Sequence, residues 1–249
     1  MTSVRPNPLP WLCRWRTNLI QMPVFVVWTV LCGSLSLTVS LFERHGHLQH
    51  RIARIWARGC ILVSGASLTV YGAERLAQHP MAVFASNHTS YMDTPVIFAS
   101  IPRQFRILAK KELWPIPFIG WYLNRSGQVP IDTRNHRATL ASLGAAAKSL
   151  QVGMSLFVFP EGGRTLNGEL KPFLSGAAFL AIRARVPLIP IALHGIYDLL
   201  PIHTHHYYPV KISLSVGEPI DTTGLTLRDA DALTAQLRTA IQNLLDAQH

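Results

Sequence analysis

A histidine and an aspartate lie at the junction between a predicted strand and a predicted helix, in the stretch SNHTSYMDTPV at residues 86–96. His88 and Asp93 are five positions apart, so they cannot meet if both lie within a regular helix. They can meet if Ser90 caps the helix, because Ser90-x-x-Asp93 has the form of a capping box. A carboxylate that holds one ring nitrogen leaves the other free to accept a proton. The spacing therefore fits a general base with its orienting group, and it fits equally a capped helix with an incidental histidine.

The stretch FPEGGRTLNGELKPFLSGAA, at residues 159–178, is a second group of polar residues at a strand end. Gly162 and Gly163 let the backbone approach a ligand closely, and the guanidinium of Arg164 suits phosphate oxygens. Lys171 and the amino terminus of the next helix at Gly176 could add to an anion site. A glycine-rich turn with a surface salt bridge is the alternative. Two such loops at the ends of separate strands favour the anion site.

The elements that must position these loops alternate between strands and helices. Short β-branched or apolar runs predict strands at 67–72, 81–86, 105–110, 155–160, 187–193 and 210–217. Helical patterns predict helices at 91–100, 134–153, 174–185 and 227–248. This alternation predicts an α/β fold with a mixed, largely parallel central sheet flanked by helices. In such sheets ligands bind outside the carboxyl ends of the strands, where both loops lie.

The amino-terminal part of the chain predicts a membrane anchor. The run from Leu19 to Phe42 carries no charged side chain and exceeds the roughly 20 apolar residues that cross a bilayer. It lacks the cleavage site of a signal peptide and is too long for one. Pro23 and the pair Gly33-Ser34 leave a bent, one-sided insertion open. Basic residues flank the run on both sides, so their distribution gives no clear orientation.

A basic amphipathic helix is predicted after this run, at residues 48–63. Its apolar face is predicted to carry Leu48, Ile52, Ile55, Trp56 and Gly59, with Arg51, Arg54 and Arg58 opposite. Such a helix suits the headgroup region of a membrane, and the alternative is an ordinary surface helix of the globular domain. We therefore predict amino-terminal membrane-anchoring helices at residues 1–64 and an α/β domain at residues 65–249.

Composition and charge agree with a membrane-contacting protein that has an anionic partner. Of the 249 residues 49% are hydrophobic and 14% charged, and the formal net charge is +10. Much of the basic excess lies beside the anchor, where anionic lipid explains it as well as nucleic acid does. Three cysteines, Cys13, Cys32 and Cys60, without CxxC spacing argue against a disulfide framework and a zinc site.

Four sequence boxes in order resemble the glycerolipid acyltransferase family over roughly residues 50–220. They are the N-H-x4-D box at Asn87–Asp93, a central block at Phe118–Asn135, the F-P-E-G-x-R box at Phe159–Thr165, and VPLIPIAL at Val186–Leu193. Four ordered boxes are far more specific than any single one. The resemblance favours the interpretation of His88 and Asp93 as a base and its orienting group, and it implies that residues 65–249 form an acyltransferase domain.

The resemblance implies a reaction, a membrane location and a set of site residues. His88 would deprotonate the free hydroxyl of 1-acyl-sn-glycerol-3-phosphate, which would attack an acyl thioester on coenzyme A or acyl carrier protein and give phosphatidic acid in phospholipid biosynthesis. Asp93 would hold the imidazole. The substrate-binding residues would be Glu161, Gly162, Gly163, Arg164 and Thr165, with Arg134 and Lys171 as weaker phosphate candidates. We expect no cofactor and no metal, and we expect the inner (cytoplasmic) membrane with the catalytic domain on its cytoplasmic face.

Two departures from the family pattern concern the binding residues. Gly163 stands where the family usually has a threonine, which removes a hydroxyl contact. Thr133 separates Asp132 from Arg134, where the family often has arginine directly after aspartate. The register of the central block is therefore open, and with it the role of Arg134.

Other functions remain as alternatives. The same fold could acylate another lysolipid, such as a lyso-ornithine lipid or lysophosphatidylethanolamine, or act as a non-catalytic basic membrane-surface protein. A nucleic-acid binder would need basic patches interleaved with aromatic residues, which the sequence lacks. Two histidine groups, His45, His47 and His50, and His203, His205 and His206, have no carboxylates at ligand spacing and are interpreted as solvated side chains.

Overall fold

The central sheet has the predicted mixed, largely parallel arrangement. The computed structural model describes residues 11–43, 45–202, 204 and 206–247. Within these residues one sheet contains β1 (Ser67–Tyr71), β2 (Val83–Ser86), β3 (Phe105–Lys110), β4 (Val129–Ile131), β5 (Ser155–Val158), β6 (Leu188–His194) and β7 (Lys211–Val216). Their order is β1-β7-β6-β2-β5-β3-β4, and β6 and β7 form an antiparallel pair while the other pairs are parallel.

Helices cover both faces of the sheet. They are α1 (Trp11–Arg16), α2 (Met22–Val39), α3 (His47–Ser64), α4 (Ala73–Gln78), α5 (Asp93–Ser100), α6 (Ile119–Arg125), α7 (His136–Gln151), α8 (Gly176–Ala184), α9 (Ile196–Leu199) and α10 (Ala230–Asp246). A π-helical segment (Thr17–Gln21) joins α1 to α2, and 3-10 turns lie at Lys111–Leu113 and Leu227–Asp229. The fold is therefore a three-layer α/β domain with additional helices at its amino terminus.

Alternate residues of the central strands point into two separate cores. On β2, Phe84 packs with residues of α3 and α5, whereas Val83 and Ala85 pack with residues of α7, α8 and α10. All three side chains are fully buried, as expected for a strand with helices on both faces. The two cores hold the sheet rigid, so the loops at the strand ends start from fixed positions.

The two long amino-terminal helices form an antiparallel pair. The indole nitrogen of Trp28 donates to the carbonyl of Trp56 at 3.0 Å, and that of Trp56 donates to Thr29 Oγ1 at 3.1 Å. Gly59 provides the space for Trp28, since a Cβ atom there would lie 2.1 Å from its Nε1. A continuous helix over Arg14–Val39 is long and apolar enough to cross a membrane. Cys32 and Cys60, inside this pair, are free and buried, and the side chain of Cys13 lies outside the described residues.

The apolar face predicted for α3 is confirmed only in part. Ile52 is buried, Trp56 packs against the core and Gly59 lies against Trp28, whereas Leu48 and Ile55 are exposed. The buried side also carries Ala53, Ala57 and Cys60, which join the core beside α5. The small side chains of Ala53, Ala57 and Cys60 let α3 lie close to α5. The helix packs as part of the α/β domain on one side and against α2 on the other. The division of the chain at residue 64 stays a prediction.

Several short elements differ from the predictions. The strand β4 and the helices α4, α6 and α9 were not predicted, because each is short and proline or glycine interrupts or flanks the pattern. The helix α1 lies within the predicted anchor, where no separate bounds were predicted for it, and the other strands and helices lie within a few residues of the predicted bounds. Because β4 and α6 belong to the central block, the sequence gives less information there than at the two loops.

Candidate active site

The two predicted loops lie side by side. They follow β2 and β5, which are neighbouring parallel strands, so their carboxyl ends open at the same edge of the sheet. Asn87 fixes the first loop to β6 through two hydrogen bonds, from its Nδ2 to the carbonyl of Leu193 at 3.0 Å and from the N–H of Leu193 to its Oδ1 at 2.8 Å. This paired contact holds the residue before His88 in one position.

His88 and Asp93 are in contact, although the helix starts later than predicted. The Nδ1 atom of His88 lies 2.7 Å from Oδ2 of Asp93. The helix α5 begins at Asp93 rather than after a cap at Ser90, and Met92 stands at the cap position without a side-chain hydrogen bond. Ser90 is not the cap because its hydroxyl donates to the carbonyl of Leu200 and accepts from the N–H of Met92. The predicted contact therefore forms without a complete capping box.

The carboxylate of Asp93 is held from several sides. Its Oδ2 atom accepts from the backbone N–H groups of Thr89 at 2.6 Å and Ser90 at 2.9 Å, and its side chain is fully buried. The second of these bonds is the half of the capping box that does form. Two backbone donors fix the position of Oδ2, and this atom in turn fixes the ring of His88.

The imidazole of His88 is oriented by a ring as well as by a carboxylate. Phe159 stacks on it with ring centroids 3.9 Å apart and an interplanar angle of 17°. The side chain of His88 is 18% exposed, and within the described part of the chain Nε2 has no hydrogen-bond partner. One nitrogen is therefore tied to Asp93 and the other is available to an incoming group.

Glu161 joins the two loops through hydrogen bonds to their backbones. Its Oε1 accepts from the N–H of His88 at 2.7 Å, and its Oε2 accepts from the N–H of Lys171 at 3.1 Å. Burial raises the pKa of the Glu161 carboxyl group, and the two backbone hydrogen bonds act in the opposite direction. With only 5% of the residue exposed and both oxygens occupied, Glu161 fixes the backbone of His88.

The glycines and Thr165 shape the second loop. Gly162 has a φ of +68°, a left-handed conformation that other residues rarely adopt. The N–H of Thr165 donates to the carbonyl of His88 at 3.0 Å, and its hydroxyl donates to Asn167 at 2.8 Å. Thr165 therefore bonds to the first loop through its backbone, while its buried hydroxyl stays within its own loop.

Three basic side chains gather around this loop. The Cζ atom of Arg164 lies 3.6 Å from the ring centroid of Tyr91, and Lys171 Nζ donates to the carbonyl of Gly163 at 3.1 Å. The third is Lys110, which was not among the predicted site residues. A Cβ atom on Gly163 would be 3.8 Å from its Nζ. Lys110 ends β3, the neighbour of β5, so its position depends on the strand order. The only sequence feature that could have indicated Lys110 is its position as a charged residue at the end of a predicted strand.

Arg134 has a partner of its own. Its Nε donates to Asp132 Oδ1 at 2.9 Å, and Lys111 lies 3.3 Å from the same carboxylate. The hydrogen bond from Arg134 holds the pKa of the Asp132 carboxyl well below its usual range. These residues follow β4 and β3 at the same sheet edge, but among the residues described no hydrogen bond or ion pair joins Arg134 to the two loops.

The histidine groups differ from one another. In the described part of the chain no group of three or more His, Cys, Asp or Glu residues could hold a metal ion. His203 and His205 lie outside the described residues. His50 was predicted to be solvated, and this prediction is wrong. It is buried between Phe98 and Phe105, and this burial lowers its pKa to about 4.

Comparison with known proteins gives consistent matches. A family model described as Acyltransferase matches residues 67–194. The chloroplastic 1-acyl-sn-glycerol-3-phosphate acyltransferase BAT2 of Brassica napus is 32% identical over 165 residues, 66% of this chain and 47% of that protein. The 1-acyl-sn-glycerol-3-phosphate acyltransferase of Borreliella burgdorferi is 26% identical over 200 residues, 79% of this chain and 80% of that protein. The chain spans about half the length of the first plant relatives it matches.

A solved structure has the same fold. The crystal structure of the 1-acyl-sn-glycerophosphate acyltransferase from Thermotoga maritima superposes with a TM-score of 0.79 at 24% sequence identity. The superposition covers 94% of this chain and 96% of that one, so the likeness extends beyond residues 67–194.

Proposed function

The chain belongs to the acyltransferase family, and from this premise we propose that it transfers an acyl chain from a thioester to the free hydroxyl of 1-acyl-sn-glycerol-3-phosphate. The observation that carries the proposal is the contact between His88 Nδ1 and Asp93 Oδ2, with Nε2 left open beside the second loop. The names of the relatives support the choice of acceptor. The product would be phosphatidic acid, in phospholipid biosynthesis.

The proposed reaction needs one base and no covalent enzyme intermediate. Nε2 of His88 takes the proton of the acceptor hydroxyl while the hydroxyl oxygen attacks the thioester carbonyl. A C–O ester bond forms, the C–S bond breaks, and the proton passes from His88 to the leaving thiolate. Asp93 stabilises the imidazolium formed in between, because its fixed Oδ2 already faces Nδ1. A positioned base of this kind contributes about 10²–10⁴-fold in rate.

The acceptor phosphate is proposed to bind at the second loop. Arg164 and Lys171, with Lys110 beside Gly163, supply positive charge there, and the glycines allow close approach. Glu161 is proposed to act by holding the backbone, since a carboxylate repels a phosphate and both its oxygens are occupied. Backbone groups would be the contribution of Gly162, Gly163 and Thr165. Arg134 would bind the phosphate only if it exchanged its hydrogen bond to Asp132 for one to the phosphate.

We also propose that the protein works at a membrane surface. Most side chains of the helix Arg14–Val39 are exposed, including Leu19, Val27 and Leu31, and an exposed apolar face of this length suits lipid. A ring from the α/β domain fixes this helix: Phe118 fills the space beside Gly33, where a Cβ atom would lie 2.5 Å away. The cytoplasmic membrane, with the domain on its cytoplasmic face, would give access to both lipid acceptor and soluble thioester.

One assay tests the proposal and its alternatives. Purified protein is incubated with a panel of lysolipids and with acyl-coenzyme A or acyl carrier protein as donor, and products are identified by mass spectrometry. We expect acylation of 1-acyl-sn-glycerol-3-phosphate to exceed that of lysophosphatidylethanolamine and lyso-ornithine lipid. A preference for another lysolipid would reassign the acceptor, and no product with any pair would support a non-catalytic membrane protein.

A further inference from the structure

Two arginines near the strand ends are held in opposite ways. Arg134 directs its N–H groups at Asp132, with Nε 2.9 Å from Oδ1. Arg164 lies over the ring of Tyr91, with its Cζ 3.6 Å from the ring centroid. Among the described residues no carboxylate forms an ion pair with Arg164, and no hydrogen bond from its side chain is found. The two guanidinium groups therefore differ in how many N–H donors remain free to bind a ligand.

The difference follows from the shape of the guanidinium group. Its five N–H donors lie in the plane of the group and point outward from its edge. A carboxylate partner uses these donors, as Asp132 does with Arg134. An aromatic ring attracts the flat face instead and leaves the edge unoccupied. Arg164 is thus held in place with its donors free for two oxygens of an anion.

The ring of Tyr91 stands on a fixed backbone. Tyr91 lies in the turn between β2 and α5, and the hydroxyl of Ser90 ties this turn to Leu200 at 2.7 Å. On the other side, the N–H of Thr165 donates to the carbonyl of His88 at 3.0 Å, directly after Arg164. The ring and the guanidinium are therefore attached to two loops that are bonded to each other at His88.

We infer that Tyr91 is a positioning residue for Arg164: its ring holds the guanidinium so that the N–H edge faces the phosphate of the acceptor at a set distance from His88. The inference rests on the proposed function. It requires an aromatic ring at position 91 and not a hydroxyl, because no hydrogen bond from the Tyr91 hydroxyl is found in the described part of the chain.

The test compares aromatic and non-aromatic variants. Tyr91→Phe keeps the ring, and we expect wild-type kinetics. For Tyr91→Leu and Tyr91→Gln we expect KM for lysophosphatidate to rise about two- to tenfold, the range of a partly exposed cation–π contact. The KM for the thioester and the kcat should change little. Because 56% of Tyr91 is exposed, both variants should fold, and thermal unfolding checks this.

A double-mutant cycle separates positioning from general damage. In an Arg164→Ala background Tyr91→Leu should have no further effect on the lysophosphatidate KM, because there is no guanidinium left to hold. Arg134→Ala is the matched control arginine, and Tyr91→Leu should act on it as on the wild type. Acylation of 1-acylglycerol, which lacks the phosphate, should be equal in wild type and Tyr91→Leu.

Each contrary result has a distinct meaning. If Tyr91→Leu matches Tyr91→Phe, or if its effect persists without Arg164 or with 1-acylglycerol, the inference is overturned while the proposed function stands. If the wild type acylates no lysophosphatidate, the proposed function fails and the inference fails with it. Support requires both a phosphate-dependent rise in KM and its loss in the Arg164→Ala background.

Discussion

Asp93→Asn is the substitution that removes the charge of the site while preserving its contacts. Oδ2 of Asp93 accepts from His88, Thr89 and Ser90, and all three can donate equally to an amide oxygen. The Oδ1 atom faces the hydroxyl of Thr89 at 3.4 Å, to which an amide nitrogen can donate. The two backbone donors should therefore keep the amide oxygen toward His88, so that the imidazole keeps its orientation and its tautomer.

The expected loss of activity comes from charge alone. An imidazolium and a carboxylate about 4 Å apart attract each other by about 4 kcal/mol at an effective dielectric constant near 20. If between half and all of the charge has developed in the transition state, the loss is about 2–4 kcal/mol, so we expect kcat/KM to fall by about 30- to 1,000-fold. The weaker hydrogen bonds of the amide are offset by its lower cost of burial, so the melting temperature should change by only a few degrees.

The assay for Asp93→Asn is release of the free thiol with lysophosphatidate as acceptor, alongside thermal unfolding in the same detergent. Asp93→Ala is the comparison, because it leaves the backbone donors without an acceptor and should lower stability as well as activity. Activity of Asp93→Asn within about threefold of wild type would refute the proposed role of the carboxylate. A loss explained entirely by unfolding would refute the reasoning about preserved contacts.

Two other predictions concern the support of the site. Glu161→Ala leaves two backbone N–H groups without their acceptor, so we expect a loss of about 2–5 kcal/mol in the free energy of unfolding, measured by denaturant titration. We also expect a loss of activity, measured by thiol release, because the backbone of His88 is no longer held. Unchanged stability would contradict the role of Glu161 in joining the loops. Gly59→Ala should destabilise the protein by about 1–3 kcal/mol, because the added Cβ would lie 2.1 Å from Trp28. Gly144 lies within α7, and a Cβ atom added there would have no atom within 4 Å, so Gly144→Ala should stabilise the protein by about 0.5–1 kcal/mol. Equal melting temperatures for these two variants would contradict the close packing of α2 on α3.

The alternation of strands and helices predicted the fold class, whereas the spacing of His88 and Asp93 allowed their contact and the four-box resemblance favoured it. Strand ends in a parallel sheet share an edge, so two polar loops after strands are expected to meet. The start of α5 could not be predicted, because it depends on the bond from Ser90 to Leu200, far along the chain. Likewise Lys110 joins the second loop only because β3 lies next to β5, an order that periodicity does not contain.

The role of Glu161 shows a second limit of sequence reasoning. A carboxylate beside two glycines and an arginine was interpreted as part of a phosphate site, but its oxygens bond to the backbones of His88 and Lys171. The same limit applies to Arg134, whose partner is only two residues away at Asp132. Residue type and spacing indicate which groups are present at a site, and the hydrogen bonds determine which of them remain free.

The most direct test of the proposed base is His88→Ala, assayed for acyl transfer from a thioester to lysophosphatidate, with membrane sedimentation measured in parallel. We predict a rate at least about 100-fold below wild type, because the proton acceptor is lost, and unchanged sedimentation, because the apolar helix is intact. A folded His88→Ala protein that forms phosphatidic acid at nearly the wild-type rate would contradict the assignment of His88 as the base.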